Sequence, residues 1–193
     1  MQDAEQTGPA PPGVRLETER LVLRELVPTA VGDQRFVVAL LNDPGFREGI
    51  GDFGVRTLED AGAYIQRTCR TSYAAHGFGM YGVELRATGE LIGLMGLLLR
   101  AVLDAPDLGF AFLAAHCRRG YAREAGRAAL ADGAGRCGLG RVVAVTSVEN
   151  VASRACLASL GFRHAGEVRL TAEGPELMLF ETVLDDADVR TER

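Results

Sequence analysis

The stretch that most constrains this chain is a junction. A predicted strand, Asp107 to Leu113, leads through His116-Cys117-Arg118-Arg119-Gly120-Tyr121-Ala122-Arg123-Glu124-Ala125 into a predicted helix. Gly120 and Ala122 are small, so the backbone there can approach a ligand closely. The first N–H groups of a helix have no partner inside it and attract anions. Arg118, Arg119, Arg123 and Arg127 gather at the same place. Arginines in a first turn oppose the helix dipole, which favours acidic residues there. A bound polyanion resolves that conflict, so the residues point to a phosphate or pyrophosphate site. The competing reading is an exposed arginine face paired with Glu124 and other surface acids.

The pattern on either side of the junction gives an order of elements. Leu16 to Leu26 reads as one strand, with Leu21 and Leu23 on one face and Arg20 and Arg24 on the other. Val31 to Leu41 reads as a short helix ending at Asn42-Asp43-Pro44-Gly45. A second helix starts at Thr57-Leu58-Glu59-Asp60, runs to about Ala75 and stops at Gly77. Tyr81 to Arg86 and Leu91 to Arg100 are strands joined through Ala87-Thr88-Gly89-Glu90. After the junction, Tyr121, Ala125, Ala128 and Ala129 form a helical face. The next position on that face is Asp132, which predicts that the helix ends there, before Gly133. Arg141 to Ser147 reads as a buried strand. Asn150 caps a short helix that ends at Leu160-Gly161. Residues 162–170 and 176–184 read as two closing strands. The result is a mixed α/β or α+β sheet.

Composition bounds the function. The 193 residues, 47% hydrophobic and 24% charged, suit one globular domain and exclude global disorder. Residues 1–14 carry Gly8, Pro9, Pro11, Pro12 and Gly13 and read as a flexible leader. Residues 185–193 read as a charged tail, which leaves 15–184 as the domain. The longest apolar stretch, Leu91 to Leu99, is nine residues, too short to span a bilayer. No signal peptide is visible, so a cytoplasmic location is the default. Net charge is −5, whereas a general nucleic-acid binder carries a positive excess. The cysteines at 69, 117, 137 and 156 form no C-x-x-C pair, and His76, His116 and His164 complete no zinc spacing. Reduced thiols and no metal site are expected. Two G-x-G-x-x-G strings, at Gly49–Gly54 and Gly133–Gly138, do not follow a strand and open a helix, as a dinucleotide fingerprint must.

The run Arg118-Arg119-Gly120-Tyr121-Ala122-Arg123-Glu124-Ala125 resembles the pyrophosphate loop of the GNAT superfamily of acyl-CoA-dependent N-acetyltransferases, Q/R-x-x-G-x-G/A. The first motif position falls on Cys117, a departure from Gln or Arg. The loop binds largely through backbone amides, which makes the departure mild. Asn150-x-x-Ser153 followed by Leu160-Gly161-Phe162 is a second match. Leu16-Glu17-Thr18-Glu19-Arg20-Leu21-Val22-Leu23-Arg24 resembles the first strand of the RimJ/RimL-like branch. The resemblance covers about 16–184. It implies the GNAT fold, a strongly twisted mixed sheet of about seven strands. Its fourth and fifth strands splay, and acetyl-CoA enters between them. Phe112 and Leu113 would offer backbone groups to the pantetheine arm. Cys117, Arg118, Arg119, Gly120, Tyr121, Ala122 and Arg123 would hold the pyrophosphate, and Asn150 would reach the arm from the far side.

The implied chemistry is direct attack of an amine on the thioester, with no covalent enzyme intermediate. An α-amine has a pKa of about 8 and a lysine about 10.4, so a base or water relay is useful. Asp107, before Gly109-Phe110, is the first candidate base, acting through water. Glu84 is the second. Many superfamily members place a tyrosine seven residues after the asparagine to protonate the thiolate; Leu157 stands there. The Ser153 hydroxyl is the candidate partner for the sulfur. The acceptor amine is open: a protein N-terminus, an aminoglycoside, a polyamine or another small amine. The acceptor loops fall around 42–56 and 77–80, with an acidic rim at Asp43, Glu48 and Asp52. No nucleic-acid or membrane partner is expected, and a homodimer is allowed. The alternative is a non-catalytic acyl-CoA-binding module or sensor on the same fold.

Overall fold

The computed structural model describes residues 15–184. The expected leader, 1–14, and tail, 185–193, lie outside the described residues. The strands are β1 (Arg15–Glu17), β2 (Leu21–Glu25), β3 (Met80–Leu85), β4 (Leu91–Leu98), β5 (Asp107–Phe112), β6 (Arg141–Thr146), β7 (Arg163–Arg169) and β8 (Glu176–Val183). They form one eight-stranded sheet in the order β1-β2-β3-β4-β5-β6-β8-β7. Neighbours are antiparallel except β5 and β6, which run parallel. The helices are α1 (Val31–Leu41), α2 (Pro44–Gly49), α3 (Leu58–Ile65), α4 (Thr71–His76), α5 (Tyr121–Gly135) and α6 (Val151–Ser159). A π turn at Gln66–Arg70 joins α3 to α4. The mixed α/β expectation holds, with eight strands in place of about seven.

The extra strand comes from the N-terminal segment, which is two strands and not one. Thr18 breaks it. Its N–H donates to the Leu21 carbonyl at 2.9 Å, and its Oγ1 accepts from the Leu21 N–H at 3.0 Å. This local bonding closes a turn that an extended chain cannot make. The Asp43-Pro44 pair likewise begins a helix where the sequence reading saw only an end. Asp43 accepts from the Gly45 N–H at 2.9 Å, and Pro44 takes the first helical position, where a missing N–H costs nothing. The expected start at Thr57 is a capping box with Asp60, and Gly77 ends α4 at φ +76°. Helix α5 runs three residues past its expected end. Asp132 does not terminate it, because its carboxylate faces inward and accepts from the Tyr81 hydroxyl at 3.0 Å.

Two cores flank the sheet. Ala125, Ala129 and Leu130 of α5 share one with Leu21, Leu23, Val83, Met95 and Leu108. Phe36, Val37 and Leu40 of α1 and Ala61 and Ile65 of α3 share the other with Leu26, Met80 and Leu94. Strand β4 is therefore covered on both faces, and Ile92 through Leu97 are all buried. That burial explains its unbroken apolar sequence. Gly96 is required for the sheet to close, since a Cβ there would lie 2.1 Å from the Gly79 carbonyl oxygen. Among the described residues, no helix is long and apolar enough to cross a membrane.

Candidate active site

Strands β5 and β6 are paired at a single position, Asp107 opposite Val143, where the Val143 N–H donates to the Pro106 carbonyl at 2.9 Å. Beyond it they part. Backbone groups alternate sides along a strand. The Leu113 N–H donates to the Ile92 carbonyl of β4 at 3.0 Å, so Gly109, Ala111 and Leu113 address β4. Leu108, Phe110 and Phe112 therefore address the gap. Of the two residues expected to meet the pantetheine arm, Phe112 addresses the gap. Leu113 does not: its N–H is used in the sheet, and its carbonyl accepts from the His116 N–H at 2.8 Å. Phe110 faces the gap and was missed; counting two residues back from Phe112 would have found it.

The parting has a local cause at Asp107, which is buried. Continuing the parallel ladder would bring the Val145 N–H to the Leu108 carbonyl. Instead the Val145 amide donates to the Asp107 carboxylate. The Arg100 Nε, from the loop after β4, binds the same carboxylate at 2.5 Å. Burial pushes the Asp107 carboxyl up, and Arg100 and the Val145 amide pull it back without cancelling the rise. A buried carboxyl with a raised pKa at the closed end of a gap is a recognisable acid–base arrangement. Glu84 is elsewhere. It sits on β3, two strands from β5, and is held by the Arg24 Nε at 2.6 Å while Arg24 also binds Asp33.

At the open end, a 3₁₀ turn at Ala114–His116 leads into the junction. Arg118 has φ +60°, the one non-glycine residue with positive φ among the described residues, and Gly120 follows at φ +81°. Gly120 starts the 15-residue α5 with no side chain capping it. Arg118, Arg119, Arg123 and Arg127 are exposed. Glu124 does not pair with them. Its carboxylate accepts from Thr18 Oγ1 at 2.5 Å, from the Arg20 N–H at 2.8 Å and from the Arg20 Nε at 2.7 Å. Cys117 is exposed, and its thiol lies 3.6 Å from the Leu113 carbonyl oxygen. Burial and the nearby Asp43 push that thiol up, against Arg118, so it is no activated nucleophile.

Asn150 caps α6 as expected, its Oδ1 accepting from the Ser153 N–H at 3.0 Å. Ser153 is half-buried in the first turn of that helix. Leu157, one turn further, is buried in the core. The Asn150 Nδ2 faces Gly49 at the end of α2, where a Cβ would come within 3.3 Å. At the other end of α2, Asp43 accepts from the Ala114 N–H at 3.4 Å. Helix α2 thus reaches from the end of β5 to the start of α6, across the mouth of the gap. Two of the three rim acids are engaged within the protein, and the third, Glu48, is exposed. Asp43 is a helix cap. Asp52 is bound by Arg47 and Arg56 and is lowered to about 2, chiefly by its hydrogen bond from Arg56.

Comparison with known proteins shows the family and the fold. Residues 20–163 match the acetyltransferase (GNAT) domain family. An uncharacterized N-acetyltransferase of Bacillus subtilis (strain 168), YoaA, is 29% identical over 155 residues, which cover 80% of this chain and 85% of that protein. The structure of the acetyltransferase from Agrobacterium tumefaciens str. C58 aligns with a TM-score of 0.71 at 25% identity, covering 88% of this chain and 94% of that one. The fold is also that of RimL, a ribosomal L7/L12 alpha-N-protein acetyltransferase solved in complex with coenzyme A. There the TM-score is 0.75 at 18% identity, covering 89% and 99% of the two chains.

Proposed function

The chain belongs to the acetyltransferase (GNAT) family and is an acetyl-CoA-dependent acyltransferase; from that premise we propose that it acetylates a primary amine by direct transfer, in the manner of the RimJ/RimL-like branch. The observation that carries the proposal is the gap between β5 and β6, closed at Asp107 and opening at the uncapped start of α5. The residues present suit acetyl-CoA. The amides of Gly120, Tyr121 and Ala122 and the side chains of Arg118, Arg119 and Arg123 hold the pyrophosphate. Cys117 contributes backbone only. Phe110 and Phe112 offer backbone groups to the pantetheine arm, and Asn150 faces it from α6.

Acetyl-CoA supplies an acetyl thioester, and the protein must manage a proton at each end of the reaction. Asp107 takes the proton of the acceptor amine through a water, since its own side chain is short and held by Arg100. Its raised pKa brings it closer to that of the amine, which improves proton transfer. Ser153 hydrogen-bonds the departing sulfur, in a helix where Leu157 offers no hydroxyl. A thiol of pKa about 8.5 needs little more help than that. Glu84 takes no part, because Arg24 occupies it. The acceptor enters beneath α2, past the half-exposed Ile50 and Phe53. The test is incubation of the full chain with acetyl-CoA and a panel of N-terminal peptides, polyamines and aminoglycosides. Thiol release matched by acetylated amine is expected. CoA binding with no acetylated product across the panel would refute it.

A further inference from the structure

Arg20 lies outside the junction in sequence, in the turn between β1 and β2, yet it is bonded to the junction at several points. Its Nε meets the Glu124 carboxylate at 2.7 Å, and its Nη1 donates to the Arg119 carbonyl at 3.0 Å. Its guanidinium carbon stands 4.7 Å over the Tyr121 ring. A Cβ on Gly120 would lie 3.3 Å from its Nη2. A trans peptide is planar, so the carbonyl of Arg119 and the N–H of Gly120 point in opposite directions. Fixing the one orients the other. Fixing it matters, because Arg118 on one side holds a left-handed conformation that an L residue adopts only under constraint, and Gly120 on the other, also at positive φ, has no side chain to restrict its backbone.

We propose that Arg20 is a positioning residue for the phosphate loop: by holding the Arg119 carbonyl toward the β1–β2 turn, it aims the Gly120 amide at the ligand. Glu124 is the anchor that holds Arg20 in place. Thr18 Oγ1 and the Arg20 backbone N–H bind the same carboxylate, so turn and loop move as one piece. This spends the one acid in the first turn of α5 on Arg20 and leaves Arg118, Arg119 and Arg123 for phosphate. The inference rests on the reading of residues 117–123 as the pyrophosphate site.

The test is calorimetric titration of the full chain with CoA, 3′-dephospho-CoA and S-acetyl-pantetheine, the last lacking every phosphate. If the unaltered protein binds none of them, the reading of the loop fails and not the role of Arg20. Arg20→Met should weaken CoA and dephospho-CoA alike by about tenfold, the scale of a lost charge-assisted hydrogen bond, and leave acetyl-pantetheine within about twofold. Arg20→Lys keeps the charge but not the fork, and should show a smaller loss of the same pattern; it carries the test if the methionine variant does not fold. Glu124→Gln separates positioning from simple attraction. Removing a negative charge near a phosphate site would by itself tighten CoA, whereas releasing Arg20 weakens it. Weaker binding is expected. Tighter binding by Glu124→Gln, equal losses for all three ligands, a loss confined to CoA, or no loss in Arg20→Met would each overturn the proposal.

Discussion

Burial lifts the Asp107 carboxyl above the ordinary aspartate range, while Arg100 and the Val145 amide pull it back. A base works only when unprotonated, so this site is active above its pKa and fails below it. Asp107→Asn should lower kcat/KM by about 10²-fold, within the usual range for a general base. The loss should shrink as pH rises, near pH about 8 for an α-amine acceptor and well above it for a lysine-like one. Arg100→Met removes an opposing charge, so the acid limb of the kcat/KM profile should move to higher pH. Parallel profiles for the aspartate and asparagine enzymes would remove Asp107 from the chemistry. Not every residue here was equally legible. Asp107, Asn150 and Gly120 stand in short motifs whose spacing is visible in one dimension. Arg20 acts across the fold, about a hundred positions from its partner, and Arg100 reaches Asp107 from the loop seven positions before it; no motif spacing marks either pair. The Leu113 backbone bonds to β4 and to the turn that follows, because strand parity depends on which neighbour the strand pairs with, and that is a property of the sheet.

Periodicity recovered most elements, because β4, β6 and the inner face of α5 are buried and their side chains follow the pleat or the helical turn. It failed where short polar side chains act on the backbone, at Thr18 and at Asp43-Pro44. Two element-scale predictions follow from close contacts. Gly96→Ala drives a Cβ into the β3 backbone and should cost about 1–3 kcal/mol or more, as overpacking does. Urea unfolding would show it, and an unchanged midpoint would contradict the register of β3 with β4. The clamp on the β1–β2 turn gives a pH signature. Burial pushes the Glu124 carboxyl up, but the hydrogen bonds from Thr18 and Arg20 outweigh it, so its folded pKa is lowered. The unfolded carboxyl titrates at about 4.3, so its contribution is complete above that value and is lost as pH falls through the lower folded pKa. Glu124→Gln should therefore be less stable than the unaltered protein near neutrality. The two should converge as pH falls below about 4. A constant difference across that range would assign the effect to packing.

The molecule as a whole is a sheet opened at one place. Its two cores hold the sheet from both faces, and the single parallel pair leaves a gap that ends at an uncapped helix. A ligand bound only by the folded state stabilises it by mass action. Acetyl-CoA at a hundred times its Kd adds about 2.7 kcal/mol, which for a chain of this size is about 5–10 °C in Tm. No rise at millimolar acetyl-CoA would count against the gap as the binding place. The most direct test of the account is calorimetric titration of CoA into the unaltered protein and into Gly120→Glu, with far-UV circular dichroism to verify that the variant is folded. The variant puts a side chain and a negative charge where the phosphates belong. Saturable one-to-one binding by the unaltered protein and none by the folded variant is the predicted result; equal affinity in the two would show that the phosphates bind elsewhere.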